Sequence, residues 1–147
     1  MSVDDPEGGW RPAVARLEAA MRTLMSGDAS AIKALYSHRD DVTAFFGWGG
    51  YEKGWIDVSR RWDWAAEQFQ GGGPVTYEHL TATVAPGLAV TTHIETTRVR
   101  LAGTDRPSEW SNRVTHVFRL EDGEWRLVHR HANRLEPRYE PGSRVRA

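Results

Sequence analysis

The sequence predicts an α+β domain in which three N-terminal helices cover one face of a curved antiparallel sheet, in the order ααβαββββ, with an internal pocket. Three observations lead there. Up to Phe69 the apolar residues recur mainly at helical spacing; beyond Pro74 they alternate along strands rich in Thr and Val; and the last two strands meet at Asp122-Gly123. An Asp-Gly pair flanked by alternating apolar residues is a strong hairpin signal, because both turn residues must adopt positive φ. Helices followed by a run of antiparallel strands bury their apolar stripes on one sheet face, and a strongly bent sheet closed by helices leaves a cone.

The first helix is expected from Pro12 to Ser26, where Val14, Leu17, Met21, Leu24 and Met25 share a stripe, Pro12 suits the first turn and Gly27 the stop. Asp28 then caps a shorter helix through Tyr36 that buries Ile32, Leu35 and Tyr36. Residues 41–46 (DVTAFF) read as a strand broken by Gly47-Trp48-Gly49-Gly50. Trp55 to Phe69 returns to helical spacing, with Trp55, Val58, Trp62, Ala65, Ala66 and Phe69 on one stripe and Trp64 off it. Four strands follow: Val75 to Ala85, Leu88 to Leu101, a strand near Trp110 to Leu120, and Glu124 to Leu135.

The hairpin register follows from the turn. Leu120 falls opposite Trp125, Phe118 opposite Leu127, His116 opposite His129, Val114 opposite His131, and Asn112 opposite Asn133. On that phase one face is apolar near the turn and carries three histidines and two asparagines further away. Polar side chains aimed at a core require partners, so this face is expected to line a cavity.

Composition narrows the function. The 147 residues suffice for one domain with a full core, read as residues 1–147 with a disordered lead-in at 1–9 and a tail at 137–147. A net charge of −1 gives no field for a polyanion, so nucleic acid is not an expected partner. No apolar run approaches the roughly 20 residues of a membrane span. The acidic, Gly-rich start MSVDDPEGGW does not read as a signal peptide, and a cytoplasmic location is the expectation. The absence of cysteine removes disulfides, thiolate nucleophiles and every Cys-based metal site.

The element order, together with DVTAFFGWGGYEKGW ahead of the third helix and THVFRLEDGEWRLVHRHAN at the end, resembles the SnoaL-like branch of the nuclear-transport-factor-two and ketosteroid-isomerase superfamily. The resemblance spans roughly Trp10 to Asn133 and is most specific at Arg113, Thr115, Asp122, Gly123, Trp125, His129 and His131. It implies a cone-shaped α+β domain, frequent homodimerisation through the sheet, and a hydrophobic pocket for a small organic molecule. It does not imply one reaction, since the superfamily holds isomerases, cyclases, dehydratases, epoxide hydrolases and modules that only bind. Its isomerases and cyclases use a buried Asp as base, and no Asp falls on an inward position of the last four strands here.

Candidate chemistry therefore rests on other residues. Strand Leu88 to Leu101 places Ala89, Thr91, His93, Glu95 and Thr97 on the favoured inner face. With His116, His129 and His131 this makes four histidines and one carboxylate around one cavity, suited to general acid–base work without a cofactor. The candidate catalytic residues are His131, Glu95 and His116, with either Glu95 or His131 as the base. Trp48 and Tyr51 over the pocket mouth, Trp62, His93, Asn112 and His129 are the candidate ligand contacts, and a flat, apolar ligand suits such walls. Two further readings stand beside this one: a structural polar network in a non-catalytic binding or assembly module, and a His-based metal site at His129 and His131 with His116. The latter lacks the downstream second histidine motif that a cupin-type centre needs.

Overall fold

The computed structural model describes residues 9–147, so the expected lead-in lies almost wholly outside the described residues. The order is α1 (Trp10–Leu24), α2 (Ser30–Leu35), β1 (Thr43–Phe45), β2 (Glu52–Lys53), α3 (Trp55–Glu67), β3 (Phe69–Gln70), β4 (Val75–Ala85), β5 (Leu88–Leu101), β6 (Pro107–Glu121) and β7 (Glu124–Arg134). The strands form one curled, mostly antiparallel sheet in the order β2-β1-β7-β6-β5-β3, with β4 also on β5.

Each helix forms where its apolar stripe can be covered. On α1, Ala13, Leu17, Ala20, Met21 and Leu24 are buried, and the chain leaves the helix at Gly27, whose φ of 92° few other residues tolerate. Asp28 accepts a hydrogen bond from the Ser30 backbone N–H at 2.9 Å in a turn that leads into α2, but the residue in the N-cap position is Ala29, one residue later than expected. On α3, Val58, Trp62, Ala65 and Ala66 face inward, in line with their spacing. These stripes merge with Phe46, Phe69, Ala89, Phe118, Trp125 and Leu127 into one hydrophobic cluster between helices and sheet.

The two-residue strands β2 and β3 are additions to the expected order. They exist only as short pairings, Thr43↔Lys53 with Ala44↔Glu52, and Phe69↔Leu101 with Gln70↔Arg100. They have no periodicity of their own to read. β1 runs parallel to β7. The residues after Arg134 form no further strand and are exposed.

The final hairpin begins as its turn dictates. Asp122 and Gly123 take φ of 52° and 80°, and Leu120↔Trp125 and Phe118↔Leu127 pair as expected. The register then shifts. His129 lies opposite Val117, Arg130 opposite His116, His131 opposite Thr115, and Ala132 opposite Val114. Val128 is thus an extra residue on β7, a β-bulge, and one extra residue moves every later side chain to the other face. The burial of β7 follows the shift: Trp125 and Leu127 are buried before it, Arg130 and Ala132 after it. The expected inward phase of His129, His131 and Asn133 is therefore corrected, and these residues lie on the outer face.

Candidate functional site

The inner face of β5 carries Ala89, Thr91, His93, Glu95 and Thr97, all buried, in agreement with the alternation of that strand. Opposite them β6 buries Asn112, Val114, His116 and Phe118. The bulge adds Arg130, which is 4% exposed, beside Glu95 at 1%. Arg130 donates from Nη2 to Glu95 Oε1 at 2.8 Å and from Nη1 to Glu95 Oε2 at 3.1 Å, a two-pronged ion pair inside the sheet. Its Nη1 also donates to His116 Nε2 at 3.0 Å.

These contacts set the charges. Burial by itself would push the Glu95 carboxyl up, but the Arg130 guanidinium outweighs it and holds Glu95 far below its ordinary 4.5. Arg130 likewise loses stability as a cation through burial and regains more from Glu95, so its pKa is raised. His116 is pushed well below 6.5 by burial first and by the Arg130 charge next. It is a neutral imidazole whose Nε2 accepts from Arg130, which leaves its proton on Nδ1. His93 sits 3.9 Å from Glu95 Oε2, beyond hydrogen-bond reach, and its ring centre is 5.0 Å from that of His116.

A small cavity of about 30 Å³ lies against this pair. Its wall includes Glu95, Thr97, Asn112, Arg130, Ala132 and Arg134 from the sheet, Trp62 from α3, and Phe46, Gly47 and Trp48 from the loop after β1. Trp48, 43% exposed, caps it and packs on Phe46, Trp64 and Phe69 with ring centres 5.9, 5.3 and 5.8 Å away. Trp110 and Phe69 complete the aromatic side, stacked at 6.1 Å. Three buried polar atoms of wall residues have no hydrogen-bond partner among the described residues: Trp62 Nε1, Asn112 Oδ1 and Arg130 Nε.

Of the residues singled out from sequence, Glu95, Asn112, Trp48 and Trp62 share this cavity. His93 and His116 are buried on the same sheet face but outside the cavity wall. His129, His131 and Tyr51 gather on the opposite side around Phe45, whose ring meets theirs edge-on at 4.8, 5.1 and 6.3 Å. There His129 is half-buried, with Nδ1 2.7 Å from Thr43 Oγ1, and His131 is exposed. His129 is pushed below 6.5, by burial first and by His131 next. Because His116 lies on the other face, the three-histidine metal arrangement does not assemble. Among the described residues no three His, Asp or Glu side chains gather in a metal-holding group.

Sequence reasoning missed Arg130, Arg134 and Trp110. Trp110 follows from the alternation of β6 without a bulge. Arg130 had a weaker signal: Glu95 on an inner face demands a cation, and a one-residue shift of β7 turns Arg130 onto that face.

Three helices against a curled sheet, with a small space between them, define the cone-shaped class of domains in which pockets sit between sheet and helices. The SnoaL-like domain family matches residues 14–133, and this chain belongs to it. A search of the curated proteins finds no match. Among solved structures, the fold is similar to a nuclear transport factor 2-like superfamily protein from Salmonella enterica serovar Typhimurium, with TM-score 0.80, 12% identity, and 97% of this chain and 100% of that one covered. It is also similar to a ketosteroid isomerase-like protein from Erwinia carotovora atroseptica, with TM-score 0.72, 14% identity and coverages of 86% and 94%. An NTF2-like protein of unknown function from Pseudomonas putida gives TM-score 0.64 at 24% identity, covering 90% and 88%. At these identities the likeness is one of fold. Among the described residues, no helix is long and apolar enough to cross a membrane.

Proposed function

We propose that this chain is a small-molecule pocket protein that holds a flat hydrophobic ligand in the aromatic cavity under Trp48, without proton transfer. The observation that carries this reading is the cavity wall itself: aromatic rings on one side and buried polar atoms without partners on the other. Such walls suit a ligand with an apolar body and few directed polar contacts. Glu95 is the carboxylate on that wall, and Arg130 occupies both its oxygens. A base needs a pKa near the working pH, and a carboxylate held this low is a poor one. His116 has its Nε2 occupied by Arg130, and His131 is remote from the cavity.

The space of about 30 Å³ holds a water or two, whereas a benzene-sized ligand needs roughly 150 Å³. Trp48 must therefore swing outward for a ligand to enter. Gly49 and Gly50, with φ of 93° and 66° and no atoms within 4 Å of where a Cβ would stand, give its loop room to move. Titration calorimetry with 2-naphthalenemethanol tests the reading. One site per chain is expected, and Ala132→Phe, which fills the cavity, abolishes it. Binding that survives Ala132→Phe places the ligand elsewhere.

A second reading, isomerisation or cyclisation with Glu95 as base, draws on the position of Glu95 in the cavity wall. It requires a ligand that takes Arg130 away from the carboxylate. Glu95→Gln then abolishes turnover while ligand binding persists. Homodimerisation through the outer sheet face is part of the proposal, supported by the half-buried Ile94, Thr115 and Val117 there and by the exposed Leu80 and Leu135 nearby. A cytoplasmic location is likewise proposed, from the absence of cysteine.

A further inference from the structure

We infer that the ligand of this pocket carries a single negative charge, a carboxylate on an aromatic or similarly flat body; this rests on the pocket reading above. The charges in the cavity wall do not cancel. Glu95 is the wall's one acid, and Arg130 neutralises it through two hydrogen bonds. His116, behind the pair, is held neutral by burial and by the Arg130 charge. Arg134, brought to the same face by the bulge, is the cation left over. Its guanidinium lies 4.6 Å from the Trp110 ring centre and has no carboxylate within ion-pair distance among the described residues. The wall thus carries +1 from Arg130, −1 from Glu95 and +1 from Arg134, a net +1.

Hydrogen-bonding capacity points the same way. Trp62 Nε1 and Arg130 Nε are buried N–H donors without acceptors. The Asn112 amide, with Oδ1 unpartnered, presents either its oxygen or, after a half-turn, its NH2 group to the cavity. Both Glu95 oxygens, the charged acceptors of the wall, are occupied. A wall with donors to spare recognises an acceptor-only group, and a carboxylate is one. The guanidinium of Arg134 offers the planar fork that matches a carboxylate, and its stacking on Trp110 fixes that fork's orientation. A phosphate monoester, with a charge of about −1.5 to −2, would exceed the single unit available. The rings of Phe46, Trp48, Phe69 and Trp110 then take the flat body of the acid.

The test compares 2-naphthoate with its neutral counterpart, 2-naphthalenemethanol, by titration calorimetry on the wild-type chain and on Arg134→Gln. Arg134 is exposed and outside the hydrophobic cluster, so the substitution leaves the fold intact. The acid is expected to bind at least about tenfold more tightly than the alcohol. Arg134→Gln removes that preference, weakening the acid at least about tenfold more than the alcohol. Equal binding of the two probes, or a preference for the acid that survives Arg134→Gln, overturns the anionic ligand while sparing the pocket. Failure of both probes to bind, to the wild type and to a Trp48→Ala chain whose cap is removed, overturns the pocket reading as well.

Discussion

Replacing Arg130 by Met isolates the group on which the interior of the sheet depends. In the folded chain Arg130 touches Glu95 twice and His116 once, all within a region from which water is excluded. Met preserves much of the stem and removes the charge, which leaves a buried carboxylate without its cation. Breaking a buried ion pair from one side costs about 3–5 kcal/mol, a large share of the 5–15 kcal/mol typical of a whole domain. At roughly 3–4 °C per kcal/mol for a chain of this size, the melting temperature falls by about 9–20 °C. Urea denaturation gives the free energy directly. The loss also depends on pH. In the wild type Glu95 is held below 4.5, so its contribution is complete above that value and is lost as the pH falls. Without Arg130, burial pushes the Glu95 carboxyl above its unfolded value, and stability then declines as the pH rises. The gap between wild type and variant therefore widens from pH 4 to pH 7. Glu95→Leu combined with Arg130→Met returns stability to within about 2 kcal/mol of wild type, because neither charge is then stranded. His131→Ala, one residue away on the outer face, costs about 0.5 kcal/mol or less. A His131 variant that loses more stability than the Arg130 variant refutes the reasoning.

The other expectations concern separate parts of the chain. Gly73→Ala drives a Cβ to 2.0 Å from the Arg98 carbonyl oxygen, a backbone atom that cannot step aside; a loss of about 2–3 kcal/mol is expected in urea denaturation, as for other overpacked sites. In an NMR titration His116 stays neutral as the pH falls below 6.5, where an ordinary imidazole takes up its proton, because burial first and the Arg130 charge next hold its folded-state pKa well below that value. Its burial therefore favours the fold fully above pH 6.5 and progressively less as the pH falls below it. His129 titrates below 6.5 in the same experiment, by burial first, and His131→Ala moves it upward by removing the neighbouring imidazole that also lowers it. Protonation of His116 near pH 6.5 contradicts its place between Arg130 and the core.

Much of the fold was legible because each long element repeats its own signal. The stripes of α1 and α3 recur over three turns or more, and β5 alternates cleanly enough that Ala89, Thr91, His93, Glu95 and Thr97 identify its inner face. The turn at Asp122 and Gly123 fixed the first two pairs of the last hairpin. Alternation alone failed at Val128, because a bulge there is a local choice between two registers that place every residue up to Leu127 identically. With strict alternation the inner face receives His129 and His131; with the bulge it receives Arg130 and Ala132. What separates the two is tertiary: Glu95, on the inner face of a different strand, is tolerable only beside a cation. One inserted residue thus exchanged a histidine cluster for an arginine–glutamate pair and brought Arg134 to the pocket. The cap was half legible. Trp48 and Tyr51 share a Gly-rich loop, but the loop crosses the sheet edge, so Trp48 closes the cavity while Tyr51 meets Phe45 on the other side.

The phase of β7 beyond Val128 underlies both the cavity and its charge, and thiol labelling reads it directly. The chain has no cysteine, so His131→Cys and Ala132→Cys each carry a single thiol on a silent background. Under native conditions a maleimide should modify residue 131 at the rate of a free thiol and residue 132 at least about a hundredfold more slowly, since a buried thiol reacts only through local opening. Rapid labelling at 132 with protection at 131 would put the imidazoles inside and Arg130 in solvent, and would contradict the account.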